Sequence, residues 1–280
     1  MLAGVLYLDR DKQLSNQDIY QLFDIRNQAK SNIKIVTNKN FAVGFCPDNV
    51  PILDEQADLW HNNNDTVTVM FSGNIFNKKD IFPEEQSHFS KGRQIYQKFL
   101  EDDIRLLDQI NGNYLLAIWN SEKQRLILSR DHLGIEPLYY YQDEDKLVFS
   151  SSIKTILRHP GVQSEINDKA LSMYLLFNYN PGYETLISGV KKLRPGEFLN
   201  FENHRISLKR FWKLSFIPDA EKSEDKITAE LLPLLRESIT KRLDSVRNSH
   251  GAFLSGGMDS STVVGLMSPF VNGKIHTFSF

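Results

Sequence analysis

The stretch His250-Gly251-Ala252-Phe253-Leu254-Ser255-Gly256-Gly257-Met258-Asp259-Ser260-Ser261-Thr262-Val263-Val264-Gly265-Leu266-Met267 decides the reading of the chain. Gly251 to Leu254 is an apolar run of strand length, Ser255 to Asp259 is a glycine-rich turn, and apolar residues at helical spacing follow from Ser260. Strand, tight loop and helix in that order make an anion cradle. Gly256 and Gly257 lack Cβ atoms, so they can take positive φ and let the backbone approach a phosphate closely. Successive N–H groups form a nest, and the following helix aims its positive end at the same point. Ser255, Ser260 and Ser261 add hydroxyl donors. Asp259 places a carboxylate beside a site built for negative charge, which makes sense with a divalent metal between them.

The loop lacks the Gly-Lys-Ser/Thr of the Walker pattern. Ser-Gly-Gly-Met-Asp-Ser-Ser instead resembles the pyrophosphate loop of ATP pyrophosphatases, which cleave ATP between its α and β phosphates to adenylate a substrate. The alternative is a serine-glycine turn that only joins two elements.

Bulk properties narrow the class. With 280 residues, 41% hydrophobic and 24% charged, the chain reads as a soluble globular protein of one large or two ordinary domains. Lys plus Arg number 33 against 35 Asp plus Glu, which gives no electrostatic reason to expect nucleic acid or an anionic membrane as partner. A small-molecule substrate fits better. Cys46 is the single cysteine, so no internal disulfide can form, and a reducing cytoplasm is the simplest setting. The apolar opening Leu2 to Leu8 meets Asp9, Arg10 and Asp11 at once. It is too short for a membrane span and wrongly flanked for a signal peptide.

In chain order, Leu2 to Leu8 reads as a buried strand and Asp18 to Asn27 as a polar helix. Ile33 to Thr37 and Phe41 to Phe45 pair across Asn38-Lys39-Asn40, which is hairpin chemistry. Thr66 to Phe76 alternates, with Val67, Val69 and Phe71 on one face. Ile95, Phe99, Ile104, Leu107 and Ile110 follow at helical spacing. Tyr114 to Trp119 and Leu126 to Arg130 predict a second hairpin, and Leu138 to Tyr141 with Leu147 to Phe149 a third. Ser150 to Leu157 and Asp168 to Phe177 read as helices. This pattern predicts an antiparallel α+β layer domain to about residue 205. Beyond Ser223, Ile227, Leu231, Leu235, Ile239 and Leu243 form a stripe on a long helix, which Pro233 should delay or bend. Lys274 to Phe280 predicts a second parallel strand.

Asn111-Gly112, Ala117-Ile118-Trp119, Arg130 to Tyr140 (Arg-Asp-His-Leu-Gly-Ile-Glu-Pro-Leu-Tyr-Tyr), Phe149-Ser150-Ser151, Pro195-Gly196-Glu197 and Phe211-Trp212 resemble, in type and order, the glutamine-amidotransferase half of asparagine synthetases. The resemblance covers nearly the whole chain. It implies an α+β fold of layered antiparallel sheets with helices, like N-terminal nucleophile (Ntn) hydrolases, followed by the beginning of an α/β parallel-sheet ATP-pyrophosphatase domain. The implied boundaries are 1–212 for the amidotransferase-like domain and 219–280 for the synthetase part. Read from the residues alone, Gly134 and Pro137 shape a turn and Tyr139 and Tyr140 pack a sheet.

The family's nucleophile is a cysteine directly after the initiator methionine, with the free α-amino group as base. Leu2 stands there and has no nucleophilic atom. Cys46 ends a buried strand and reads as structural. The family's arginine segment, which grips the glutamine carboxylate, reads Gly44-Phe45-Cys46-Pro47-Asp48, and its Asn-Gly-Glu segment reads Ser72-Gly73-Asn74. Near Ser90-Lys91-Gly92-Arg93 an acidic residue is expected and none is found. No catalytic residue is assigned.

For the second half the resemblance implies ATP and Mg2+ as cofactors. Leu254, with the backbone around Ser279 and Phe280, would line adenine and ribose. Ser255, Gly256, Gly257, Asp259, Ser260 and Ser261 would hold pyrophosphate, and Asp259 the metal. A carboxylate substrate would become an acyl-adenylate, and an amine or ammonia would displace AMP to form an amide. Asp219 to Phe280 is shorter than the about 100–150 residues of a typical domain, so a truncated or split synthetase domain is expected. A homodimer or a complementing C-terminal polypeptide are the expected partners. Two other readings stay open: a non-catalytic scaffold, and a piece of an enzyme akin to β-lactam synthetases or lasso-peptide cyclases.

Overall fold

The computed structural model describes residues 1–23, 33–46, 57–217, 222–243, 250–271 and 273–279. One compact unit comprises Met1–Asn74 and Lys79–Lys213; a second comprises Ile75–Lys78 and Leu214–Phe280.

The first unit begins with β1 (Leu2–Tyr7), α1 (Asn16–Tyr20), β2 (Lys34–Asn38), β3 (Phe41–Phe45), β4 (Ala57–His61) and β5 (Val67–Ile75). Helices α2 (Lys78–Ile81), α3 (Lys91–Asp102) and α4 (Arg105–Gln109) come next. Then follow β6 (Gly112–Asn120), β7 (Arg125–Arg130), β8 (Tyr139–Gln142), β9 (Lys146–Ser150), α5 (Ile153–Ile156), α6 (Asp168–Phe177), β10 (Val190–Lys192), β11 (Glu197–Glu202) and β12 (Arg205–Arg210). These strands form two six-stranded sheets, ordered β10-β8-β9-β1-β3-β2 and β12-β11-β7-β6-β5-β4. β1 is central in the first, antiparallel to β3 with Leu2 opposite Phe45 and to β9 with Ala3 opposite Ser150.

Alternation along each strand sorts side chains into layers. Leu2, Leu6, Phe41, Phe45 and Phe149 of the first sheet meet Leu115, Trp119, Leu128 and Phe201 of the second in one buried core. Phe41 anchors it, with ring centroids 5.0 Å from Trp119 and 6.4 Å from Phe149. Each such side chain removed from water contributes about 1.5–3 kcal/mol. The opposite face of the first sheet, Ala3, Val5, Ala42, Cys46 and Val148, packs with Ile19 of α1 and Ile156 of α5. On the outer face of the second sheet, buried Tyr114 donates its hydroxyl hydrogen to the Leu107 carbonyl of α4 at 3.3 Å. Helices thus flank both sheets, giving the layered antiparallel α+β fold expected from the sequence.

Several local expectations change. Thr66 to Phe76 reads as alternating, yet Val67 through Phe71 are all buried, because the face that was expected to be polar, with Met70, packs in the core between the two sheets, while Phe71 on the other face stacks on Tyr114 beneath the helices. The helical stretch from Ile95 to Ile110 breaks into α3 and α4 where Asp103 takes φ 48°. The helix expected over Ser150 to Leu157 shortens to α5, because Ser150 completes β9 and donates its hydroxyl hydrogen to the Leu2 carbonyl at 2.6 Å. The helix expected over Asp18 to Asn27 is seen as α1, and residues 24–27 lie outside the described residues.

The second unit holds α7 (Glu224–Leu243), β13 (Gly251–Phe253), α8 (Met258–Met267) and β14 (His276–Phe278). β13 and β14 pair in parallel, Gly251 opposite His276 and Phe253 opposite Phe278. Pro233 neither delays nor breaks α7, which starts at Glu224 and runs through it. The helix is exposed along its length, so water can take the carbonyl that a proline nitrogen leaves unpaired. The expected apolar stripe is not a core face: Ile227 is 50% exposed and Leu231 53%. Among the described residues, no helix is long and apolar enough to cross a membrane.

Candidate functional site

Two places gather the residues singled out in the sequence. The first is the loop between β13 and α8. Parallel pairing sets it: the Leu254 N–H donates to the Phe278 carbonyl at 2.8 Å, and the Ser279 hydroxyl to the Leu254 carbonyl at 2.6 Å. The loop therefore leaves the carboxyl edge of the strand pair, where nucleotide ligands sit in open α/β sheets.

Gly256 has φ +80°, and a Cβ there would meet nothing within 4 Å, so its requirement is conformational and its surroundings are open. Gly257 takes an ordinary φ of −78° as N-cap of α8. Only one of the two glycines uses the left-handed region. The first intrahelical bond is from the Ser261 N–H to the Gly257 carbonyl at 3.2 Å, so the N–H groups of Met258, Asp259 and Ser260 precede it, as first-turn donors do.

The serines behave differently from expectation. The Ser260 hydroxyl donates to the Gly257 carbonyl at 3.1 Å and the Ser261 hydroxyl to the same carbonyl at 2.8 Å. The Ser255 N–H in turn donates to Ser260 Oγ at 3.2 Å. A serine early in a helix competes for nearby backbone carbonyls, and Ser255 Oγ accepts the Gly257 N–H at 3.4 Å, so all three hydroxyls brace the loop. Asp259 is exposed in the first turn of α8. Phe280 lies outside the described residues. No group of three or more His, Cys, Asp or Glu side chains among the described residues is arranged to hold a metal. The donor set fits a magnesium ion carried in on phosphates, which needs only one or two protein carboxylates.

The second place is a cavity of about 410 Å³ in the first unit, opening beside Leu2. Leu2 is 2% exposed; its N–H donates to Ser151 Oγ at 3.0 Å and its carbonyl accepts the Ser151 N–H at 3.0 Å. Cys46 is fully buried on the other side of the sheet, in the layer with Ile19 and Ile156, as a structural thiol would be. Pro47 and Asp48 lie outside the described residues.

Gly73 lines the cavity with φ +127°, and a Cβ on it would lie 2.1 Å from the Asn113 carbonyl oxygen. That position accepts glycine alone. A carboxylate does lie near Gly92, since Asp58 of β4 accepts the Gly92 N–H at 2.7 Å, but it is not among the described residues that line the cavity. Sequence reasoning missed it because β4 itself was not read as a strand.

Sequence reasoning also missed the arrangement that shapes the cavity rim. Asp131 is fully buried, and its two carboxylate oxygens accept the N–H groups of Leu133 at 3.1 Å, Ile135 at 3.1 Å and Glu136 at 3.0 Å. Arg130 donates to the carbonyls of Glu136 at 2.6 Å and Leu193 at 2.7 Å, and also to that of Gly134. Burial disfavours its charge and pushes its pKa down. Paired Arg and Asp thus brace a turn, which agrees with the structural reading of these residues. That turn holds Glu136 at the cavity. The Glu136 carboxylate accepts from Asn113 Nδ2 at 3.3 Å, and its pKa is raised, chiefly by burial.

Comparison with known proteins gives this geometry its context. Residues 50–212 match the glutamine amidotransferase domain family, and residues 230–280 match the asparagine synthase family. The chain is 26% identical over 228 residues to asparagine synthetase [glutamine-hydrolyzing] 3 of Bacillus subtilis, covering 77% of this chain and 36% of that protein. It is 30% identical over 226 residues to a putative asparagine synthetase 2 of Methanocaldococcus jannaschii, covering 76% and 42%. Among solved structures, a B. subtilis glutamine phosphoribosylpyrophosphate amidotransferase covers 99% of this chain and 59% of its own, at 13% identity and a TM-score of 0.43. The chain belongs to the glutamine amidotransferase domain family through residues 50–212, joined to a segment similar to the asparagine synthase family at residues 230–280. It spans between a third and somewhat over two-fifths of the length of these curated relatives, 36% and 42%.

Proposed function

We propose that the chain is part of an ATP-dependent ligase that forms an amide through an acyl-adenylate, with an amidotransferase domain that no longer hydrolyses glutamine. The observation that carries this reading is the loop at Ser255–Ser261: a strand edge, one left-handed glycine and first-turn N–H groups ahead of the first helical bond. In this reading Gly256 and Gly257 let the pyrophosphate approach the backbone, and the N–H groups of Met258, Asp259 and Ser260 donate to its oxygens. Ser255, Ser260 and Ser261 fix the loop, while Leu254 and Phe280 border adenine and ribose. Asp259 holds the magnesium, whose chemistry when bound is to neutralise phosphate charge. A small carboxylate and an amine or ammonia are the substrates, and the activity belongs to a protein of the relatives' full length. Cys46 as a single buried thiol supports a cytoplasmic setting.

Calorimetric titration of the folded chain with ATP and with AMP, each with and without magnesium, tests the reading. ATP binding that requires magnesium is expected, with Asp259→Asn weakening it by about tenfold, equivalent to about 1.4 kcal/mol. A folded chain with no affinity for either nucleotide would instead support a non-catalytic scaffold.

The inactive-glutaminase half of the proposal has its own check. Leu2→Cys supplies a thiol, yet the described lining of the cavity offers no cationic side chain to grip a glutamine carboxylate. Ammonia release from glutamine is expected to stay at background in Leu2→Cys. Turnover above background would show the site to be one substitution from activity.

A further inference from the structure

The cavity beside Leu2 has a composition of its own. Leu2 of β1, Phe45 of β3 and Leu115 of β6 make an apolar floor. Ser72 of β5, with Ser151 and Ser152 after β9, brings hydroxyls to the wall. Glu136 is the one side chain with a charge among the described lining residues. Its single hydrogen-bond partner on the carboxylate among the described residues is Asn113, a neutral amide.

The nearby cations are engaged elsewhere. Arg130 directs its guanidinium at backbone carbonyls of Glu136, Leu193 and Gly134. The Met1 nitrogen donates to the Cys46 carbonyl at 2.6 Å. Burial raises the Glu136 pKa and outweighs the opposing pull of the Met1 amino group and Arg130. The group is also held rigidly, because Asp131 fixes its N–H at 3.0 Å and Arg130 its carbonyl at 2.6 Å. A preorganised, half-buried carboxylate over an apolar floor is a receptor for a cation.

We propose that this cavity binds a small organic amine as its ammonium ion, with a short apolar tail and no carboxylate of its own. The ammonium head pairs with the Glu136 carboxylate and with the seryl hydroxyl oxygens, which accept its remaining hydrogens. The tail lies on Leu2, Phe45 and Leu115. An α-amino acid such as glutamine is disfavoured by its carboxylate, which would face Glu136 with only the Met1 amino group, already donating to the Cys46 carbonyl, as a cation on the described lining residues. A volume of about 410 Å³ is at the small end of the range for small-molecule sites, which suits an alkylamine. This proposal is independent of nucleotide binding at Ser255–Ser261.

The test uses the whole folded chain and three probes: n-butylammonium, n-butanol and L-glutamine. Binding is read from chemical-shift changes at the amides of Leu2, Gly73 and Ser152. The expected result is that n-butylammonium binds at least tenfold more tightly than either of the other two, and that Glu136→Gln removes this preference. The comparison of amine with alcohol is made on the unaltered protein, so it stands even where the variant folds poorly. Equal affinity for n-butanol and n-butylammonium overturns the proposal, since it marks an apolar void. Tighter binding of L-glutamine overturns it too, as does an amine preference that survives in folded Glu136→Gln.

Discussion

Asp131→Ala is expected to lose about 3 kcal/mol of stability or more, since it leaves three partly buried N–H groups without an acceptor at roughly 1 kcal/mol or more each. The carboxylate is fully buried and takes the N–H groups of Leu133, Ile135 and Glu136, while its own backbone carbonyl accepts Gly134 and Gly196. Asp131→Asn should fall between the alanine variant and the parent, because an amide has one accepting oxygen and its NH₂ group must face one of the donors. Urea unfolding followed by circular dichroism measures both. A loss under about 1 kcal/mol for the alanine variant would mean that water replaces the carboxylate and that the turn is not organised by it.

Gly73→Ala should cost a comparable amount, about 3 kcal/mol or more, for a different reason. Two penalties add there. A side chain at φ +127° leaves the allowed basins, and the new methyl would stand 2.1 Å from the Asn113 carbonyl oxygen and 2.8 Å from Tyr114 Cα. Both are backbone atoms of a paired strand, so neither can give way cheaply. Gly182→Ala separates the terms, since Gly182 has φ +75° and open space around the added carbon. Its loss should be only about 1 kcal/mol, the conformational part alone. Equal losses at the two positions would show that the contact with β6 contributes nothing.

Much of the layered domain was legible because its hairpins carry their own turn chemistry. Asn38-Lys39-Asn40 and the pair β6–β7 combine alternation with residues that tolerate tight turns, and Lys39 and Gln124 duly take positive φ. β4 and β10 to β12 were not read as strands. β4 is a sheet edge with half-buried residues, so its pattern is weak, and β10 is three residues long. β12 does alternate, with Ile206 and Leu208 against the core, and closer counting of Arg205 to Arg210 would have found it.

The sites divide in the same way. The β13–α8 loop was legible because strand, glycine turn and helix are contiguous, so local rules suffice. What those rules could not supply was the destination of the serine hydroxyls, which depends on competition between a ligand and the Gly257 carbonyl. The cavity beside Leu2 was visible only as missing glutaminase groups. Glu136 passed unnoticed because an acidic residue in a Gly-Ile-Glu-Pro turn reads as solvated surface; its placement follows from long-range packing of β1 and β3 in one sheet against β6 in the other. Asp58 and Gly92 meet across 34 residues of sequence for the same reason.

β13 and β14, three residues each, are paired in parallel with each other, and every residue of β14 is exposed. Strands held so lightly open by local fluctuation, whereas β1, flanked by β3 and β9 and buried over most of its length, opens only with its whole sheet. In heavy water the amide of Leu254, bonded to Phe278, should therefore trade its proton for deuterium long before that of Val5. Any ligand that clasps the loop must slow that trade, so the weakness of the strand pair makes it a built-in gauge of occupancy.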